Sequence, residues 1–285
     1  MSRILVAAVQ PGAGATTVAV GLAHVLAYAG RAVRIERLAG DPRADSDARA
    51  FGKLEVADSS GVPVEESALP ADATGTVTII EAPARADGAA LAARLGARAV
   101  LVTTEAGDPG ASSDGATVIA NHQRRTGLNA IGEDRLLAAP TVARLIEASG
   151  AAVLSRSEEG DDAICEFLVP GAISHDAADA YFQRFPRRAV VSRADKVDLA
   201  LAAMLTESEC LILTGGHEPS PYILDRAAST RRTTLLLAPE GTVETLRDVE
   251  GVFGSVPFSH DAKVERIGAL LGAALDQATL DALTS

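Results

Sequence analysis

An apolar run at residues 4–9 and a helical apolar repeat starting at Val18 are joined by Gln10-Pro11-Gly12-Ala13-Gly14-Ala15-Thr16-Thr17. No other feature constrains the fold as tightly. A run that is apolar at successive positions reads as a strand buried on both faces. Val18, Gly21, Leu22, Val25 and Leu26 recur at helical spacing, and Gly30 stops the helix before a second strand at residues 31–38. The product is one right-handed βαβ unit, the building block of a parallel sheet. Aligned on Gly14, the phosphate-loop pattern G-x-x-x-x-G-K-[ST] puts its first glycine on Val9, its lysine on Ala15 and its hydroxyl on Thr16. What remains is Gly12 and Gly14 in a turn that offers backbone N–H groups, a helix N-terminus, and the hydroxyls of Thr16 and Thr17. The cation that would grip the outer phosphates is missing. A plain glycine turn joining strand to helix is the second reading of the same residues.

The 285 residues are enough for two modest domains with their own cores. With 47% hydrophobic, 22% charged and only 3% aromatic residues and no Trp, those cores are built from Ala, Val, Leu and Ile. Such composition suits buried parallel strands under Ala-rich helices, an α/β fold. A net charge of −12 argues against a nucleic-acid surface, whose affinity comes from clustered Lys and Arg. Cys165 and Cys210 are isolated and have no metal-ligand spacing. The first apolar run is too short for a signal peptide, and no run reaches membrane-spanning length, so no membrane association and a cytoplasmic location are expected.

Further along, Asp41, Asp45 and Asp47 precede an Ala-rich helical start. Asp47 suits either a magnesium ligand reaching toward the loop or the first turn of a helix, where acids are favoured anyway. A strand at residues 76–80 ends in Glu81, at the carboxyl edge where α/β sheets gather their ligands. Residues 99–104 form the next strand, residues 107–115 carry turn chemistry, and a short strand ends in Asn121 before a basic tip at residues 122–125. The register changes through Pro170-Gly171, which places a boundary there: domains at 1–170 and 171–285. Beyond it the rhythm restarts, with helices expected at residues 174–185, 197–205, 222–229, 242–249 and 264–275 and strands at 189–192, 210–213 and 234–238.

Three stretches then occur in order: Ile131-Gly132-Glu133-Asp134-Arg135-Leu136-Leu137-Ala138-Ala139-Pro140, Phe167-Leu168-Val169-Pro170-Gly171-Ala172, and Leu211-Ile212-Leu213-Thr214-Gly215-Gly216-His217-Glu218-Pro219-Ser220-Pro221. Together they resemble the regulatory half of bacterial phosphotransacetylases, a dethiobiotin-synthetase-like P-loop domain followed by a DRTGG domain, which also occurs free-standing. The resemblance implies a parallel-sheet P-loop NTPase-like domain ahead of a smaller α/β DRTGG domain. It implies that Thr16, Asp47 and Glu81 hold magnesium, that Asn121 contacts the nucleotide base, and that Arg37 takes the place of a second-strand lysine. The family's label falls on Arg193-Ala194-Asp195-Lys196 with Thr214-Gly215-Gly216, its Arg being Lys here. Loss of the loop lysine is shared with the phosphotransacetylase domains it resembles, and their catalytic domain is not in this sequence. Around residues 105–117 and 121–132 only short loops stand where the family places helices.

The function expected from all this is non-catalytic: a nucleotide- or metabolite-sensing regulator or scaffold, a homo-oligomer that acts on a partner enzyme of acyl-CoA or acetyl-phosphate metabolism. Mg2+ and ATP are its candidate cofactors. The competing enzyme reading is a slow ATPase or ATP-dependent ligase of the dethiobiotin synthetase type, for which Ala15 removes a principal phosphate contact. A third reading takes Gly12, Gly14 and Glu36 as a dinucleotide fingerprint, with Thr17 where its last glycine belongs. In the second domain, Asp195, Lys196, Thr214, Gly215, Gly216 and Ser220 suit an effector pocket whose turn offers N–H groups to an anion, or a tight turn alone.

Overall fold

The computed structural model describes residues 2–71, 73–105, 115–171, 178–254, 258 and 260–285. In chain order the elements are β1 (Ser2–Ala8), α1 (Ala15–Tyr28), β2 (Ala32–Arg37), α2 (Ala44–Phe51), β3 (Thr76–Glu81), α3 (Gly88–Leu95), β4 (Arg98–Thr103), β5 (Thr117–Gln123) and β6 (Ala130–Gly132). There follow α4 (Arg135–Ala138), α5 (Val142–Ser149), β7 (Ala152–Ser155), β8 (Phe167–Pro170), α6 (Ala178–Phe182), β9 (Arg188–Arg193), α7 (Val197–Leu205) and β10 (Cys210–Thr214). The last are α8 (Pro221–Thr230), β11 (Thr234–Leu237), α9 (Thr242–Glu250), α10 (Asp261–Ala274) and α11 (Gln277–Thr284). The chain forms two compact units, Met1–Asp134 with Pro257–Ser285, and Arg135–Val256. No helix among the described residues is long and apolar enough to cross a membrane.

The first unit is a parallel sheet in the order β2-β3-β1-β4-β5-β6. Central β1 is paired on both sides, and its Ile4, Leu5 and Val6 are wholly buried, as the unbroken apolar run requires. Leu5 and Ala7 pack with Ile80 and with Leu91 and Ala92 of α3; the alternation of a strand sends Ile4 and Val6 to the other face. The chain end completes this unit. Helix α10 lies along α1 so closely that a Cβ built on Gly268 would fall 2.0 Å from His24 Nδ1. The His24 ring stacks on Tyr28 at 4.2 Å, and the Tyr28 hydroxyl donates to Glu265 at 2.9 Å. Arg266 of α10 pairs with Asp134 at 2.7 Å, and Asn129 N donates to Ala274 O at 2.7 Å.

The second unit is a sheet in the order β7-β11-β10-β9-β8, parallel except for the β7–β11 pair. Val190, Leu211, Leu213 and Leu235 face Phe182, Leu199, Ala203 and Ile223 on one side. Ala189, Val191, Cys210, Ile212 and Leu236 face Val142, Leu145 and Val249 on the other. Each strand therefore alternates between two apolar layers, the pattern of a sheet covered by helices on both faces.

The two-domain α/β architecture is the one expected, but the chain divides elsewhere than at residue 170. Phe167 is in register with Arg188, so β8 belongs to the second sheet. Likewise, α10 and α11 are part of the first unit rather than the tail of the second. The edge strands β6, β7 and β8, with three to four residues each, and the last helix α11 are absent from the sequence reading. The turn expected at 107–114, and residues 174–177 of an expected helix, lie outside the described residues. Residues 124–129 contain no helix, in keeping with the short connection read there; α10 packs against β6 as well as α1.

Candidate functional site

Strand β1 leads through α1 to β2, beyond β3, whereas β3 leads through α3 to β4, on the far side of β1. Adjacent strands whose connections leave in opposite directions open a crevice at their carboxyl ends, where α/β sheets bind ligands. The glycine loop leaves β1 at this point. Gly12 and Gly14 have φ of 80° and 89°, a left-handed conformation that glycine adopts without strain, and Gly14 is the N-cap of α1. Within the loop Ala13 N donates to Gln10 O at 3.2 Å and Val18 N to Gly14 O at 3.1 Å. Among the described residues no acceptor meets the N–H groups of Gly12, Gly14, Ala15, Thr16 or Thr17. Those five donors at the start of a fourteen-residue helix make an anion cradle in backbone terms.

Asn121 closes the loop from behind. Its buried amide donates to Ala13 O at 2.9 Å, and a Cβ on Gly14 would lie 2.2 Å from its Nδ2. The residue expected to touch a base therefore gives one of its two amide hydrogens to the loop backbone. The next residue, His122, is exposed at a φ of 57°, with Nε2 3.9 Å from that same Cβ position. Spacing alone puts His122 in a solvated basic tip; its strand-end position beside the loop follows only from β5 lying next but one to β1.

Below the loop lies a buried ionic cluster. Arg37 and Glu81 are register partners at the ends of β2 and β3, which sets the two side chains together. Glu81 Oε1 accepts the Thr16 hydroxyl at 2.7 Å. Arg37 NH2 pairs with Asp41 at 2.5 Å and NH1 donates to Leu38 O at 2.7 Å, so the guanidinium is held from its far end. Its Nε lies 3.5 Å from both Asp47 Oδ2 and Glu81 Oε2. Arg37, Asp47 and Glu81 are each no more than 4% exposed. Burial pushes the Glu81 carboxyl up to about 7 against the opposing pull of Arg37, and burial likewise raises Asp47. Asp41 is also desolvated, yet the Ala84 N–H and Arg37 together hold it below the usual carboxylate range.

Thr16, Asp47 and Glu81 are thus brought together as the resemblance implied, but around a guanidinium. Magnesium needs oxygens at about 2.1 Å, and an ion bound to Asp47 Oδ2 and Glu81 Oε2 would lie beside Arg37 Nε, cation on cation. The residues present do not fit a metal as they stand. No group of three or more His, Cys, Asp or Glu side chains among the described residues is arranged for one.

The dinucleotide reading loses its acid. Glu36 is fully buried and its carboxylate accepts the Ser60 hydroxyl at 2.6 Å and the Ser60 N–H at 3.2 Å, leaving nothing for a ribose.

In the second unit, Asp195 and Lys196 follow β9, and Thr214 ends β10 with Gly215-Gly216 just beyond it, β9 and β10 being adjacent strands of the sheet. Ala194 N donates to Thr214 O at 3.2 Å, tying the two turns together. The expected anion turn is not available as such: Gly215 N donates to Glu240 O at 2.7 Å and Gly216 N to Ala238 O at 3.2 Å. The segment after β11 has taken both donors. The buried Thr214 hydroxyl donates to Ser192 O at 3.3 Å and lies 2.7 Å from Thr242 Oγ1. Asp195 pairs with Arg193 at 2.5 Å on the surface, Lys196 is exposed, and Ser220 caps α8 through its backbone with no side-chain cap bond.

A solved structure of the CBS and DRTGG domains of the regulatory region of Clostridium perfringens pyrophosphatase, complexed with its activator diadenosine tetraphosphate, aligns at 17% identity. The match covers 45% of this chain and 53% of that one, with a TM-score of 0.37, so it spans about half of that chain's length. Residues 144–252, from α5 to just beyond α9, match the DRTGG domain family. The second unit therefore contains a DRTGG domain.

Proposed function

We propose that this chain is a non-catalytic sensing protein whose first unit holds a phosphate-bearing ligand, a nucleotide such as ATP or a small phosphoryl metabolite, on the 12–17 loop. The observation that carries the reading is the pair of left-handed glycines with five unclaimed N–H groups at the head of α1, set at the switch point of a parallel sheet. Phosphoryl transfer depends on cations that stabilise charge on the moving group. Ala15 supplies none, and Arg37 is buried and committed to Asp41, Asp47 and Glu81. Binding without fast turnover is what such a loop supports. The DRTGG domain supplies the regulatory half of the reading, with Asp195, Lys196 and Ser220 as surface groups for an effector. The resemblance to phosphotransacetylase regulatory regions names the partner as an enzyme of acetyl-phosphate or acyl-CoA metabolism, and the assembly as a homo-oligomer.

The test is a thermal-shift panel on the full chain with ATP, diadenosine tetraphosphate, acetyl phosphate and acetyl-CoA, repeated with Gly12→Asp. A Cβ at Gly12 meets nothing within 4 Å, so the variant adds a carboxylate to the loop without a clash. The expected result is a rise in melting temperature with at least one phosphate compound, lost in Gly12→Asp, and no phosphate release above that of the variant. A shift that survives Gly12→Asp and disappears in Asp195→Ala moves the ligand to the second unit. Loop-dependent ATP turnover would establish the slow ATPase or ligase instead.

A further inference from the structure

We propose that Arg37 does the work of a divalent cation in the first unit, so that the glycine loop takes its phosphate ligand as the metal-free anion. The inference rests on the loop being a phosphate site, as proposed above, but its central claim concerns the cluster beneath and stands on separate geometry. Two of the three guanidinium nitrogens are fixed by the β2–α2 connection: NH1 on Leu38 O at 2.7 Å and NH2 on Asp41 Oδ2 at 2.5 Å. Asp41 is itself held by the N–H groups of Ala84 at 2.8 Å and Arg43 at 2.9 Å. With its far end anchored, the guanidinium can present only Nε to Asp47 and Glu81, and it lies 3.5 Å from an oxygen of each. Neither Arg37 Nε nor Glu81 Oε2 has a hydrogen-bond partner at closer range, so the contact is an ionic bridge between buried groups.

Arg43 acts on Asp47 from the start of α2, so two guanidinium groups stand against the three carboxyl groups of Asp41, Asp47 and Glu81, and the cluster is one negative charge in excess when all three are ionised. The remaining Glu81 oxygen is taken by the Thr16 hydroxyl. That bond is the link to the loop: the contacts run from Arg37 to Glu81 and from Glu81 to the hydroxyl of Thr16, a residue whose own N–H belongs to the loop. A guanidinium suits the role because it stays charged when buried and offers directional donors to carboxylates. A lysine or a bound ion would titrate or dissociate.

Mn2+ electron paramagnetic resonance on the full chain tests this without needing the ligand, using wild type, Glu81→Gln and Arg37→Gln, the last checked for folding by circular dichroism. The wild-type chain is expected to bind no more Mn2+ than Glu81→Gln, and Arg37→Gln to take up one additional equivalent. Mn2+ bound by wild type and lost in Glu81→Gln overturns the proposal, as does a folded Arg37→Gln that binds none. Should Arg37→Gln fail to fold, the comparison of wild type with Glu81→Gln decides alone. Thermal shift with ATP, in EDTA and in excess Mg2+, is the second readout: a shift at least as large in EDTA supports the proposal, and one that needs Mg2+ refutes it. No shift in either condition defeats the phosphate-site reading while leaving the Mn2+ result to judge the role of Arg37.

Discussion

Replacing Glu81 by glutamine isolates the electrostatic cost of the buried cluster. The carboxyl titrates near 7 in the folded chain against an ordinary value of 4.5, and burial is the main cause. Because the folded state holds this proton more tightly than the unfolded state, the contribution is fully present below about pH 4.5 and is lost as the pH rises through 7. Linkage between those two values gives a decline of about 2.5 kcal/mol from pH 5 to pH 8. Glutamine keeps an oxygen for the Thr16 hydroxyl and cannot ionise, so the variant lacks this slope. The difference in stability, variant minus wild type, is therefore expected to grow by about 2.5 kcal/mol from pH 5 to pH 8, whatever its absolute sign. Asp47 titrates in both proteins and cancels to first order. The assay is urea denaturation in EDTA at four pH values, read by hydrogen exchange of β1 and β3 peptides so that the first unit is followed by itself. A difference that stays flat with pH would refute the argument, since it would mean that Glu81 ionises freely where it stands.

Three other outcomes follow from packing. Gly14→Ala combines a φ of 89° with a Cβ 2.2 Å from Asn121 Nδ2, and is expected to cost at least about 2 kcal/mol by chemical denaturation, against about 1 kcal/mol for the unobstructed Gly12→Ala. Gly268→Ala drives its methyl into the His24 ring and should destabilise the first unit by about 1–3 kcal/mol, with much of the loss absent when His24 is also alanine; additive losses would contradict the contact. Thr214→Val removes the bond to Thr242 from beneath the Thr-Gly-Gly turn and should lower the stability of the second unit by about 1 kcal/mol in the same exchange experiment.

The residues of β1 and α1 were legible because their signals are local: an unbroken apolar run, a helical repeat, and glycines between them. Glu81 was legible as a strand-end acid near the loop, and its bond to Thr16 agrees with that placement. The guanidinium between the acids was not. It depends on the register of β2 against β3 and on Asp41 holding NH2, neither of which spacing reveals. For the same reason the Gly215 and Gly216 donors looked free, although their acceptors arrive more than twenty residues later, after β11. Strands β6 to β8 are too short to establish a period, and β7, with two exposed residues of four at a sheet edge, lacks an apolar run. The boundary near Pro170 was misplaced because a change of turn composition marked the end of a strand, while the true division carries no Pro or Gly punctuation at Asp134-Arg135.

The return of α10 and α11 to the first unit also sets an order of events during synthesis. Residues 135–256 form a contiguous unit whose sheet and helices are all present once that stretch has left the ribosome. The unit that begins first is finished later: the face of α1 that receives Gly268, and the Ser2 hydroxyl that donates to Thr284 O at 2.5 Å, wait for the last elements described. Until then the face of α1 that carries Gly21, His24 and Val25 has nothing from α10 to cover it. The DRTGG-containing unit is thus continuous in the chain, whereas the packing of α10 on α1 closes only after the inserted unit has been made.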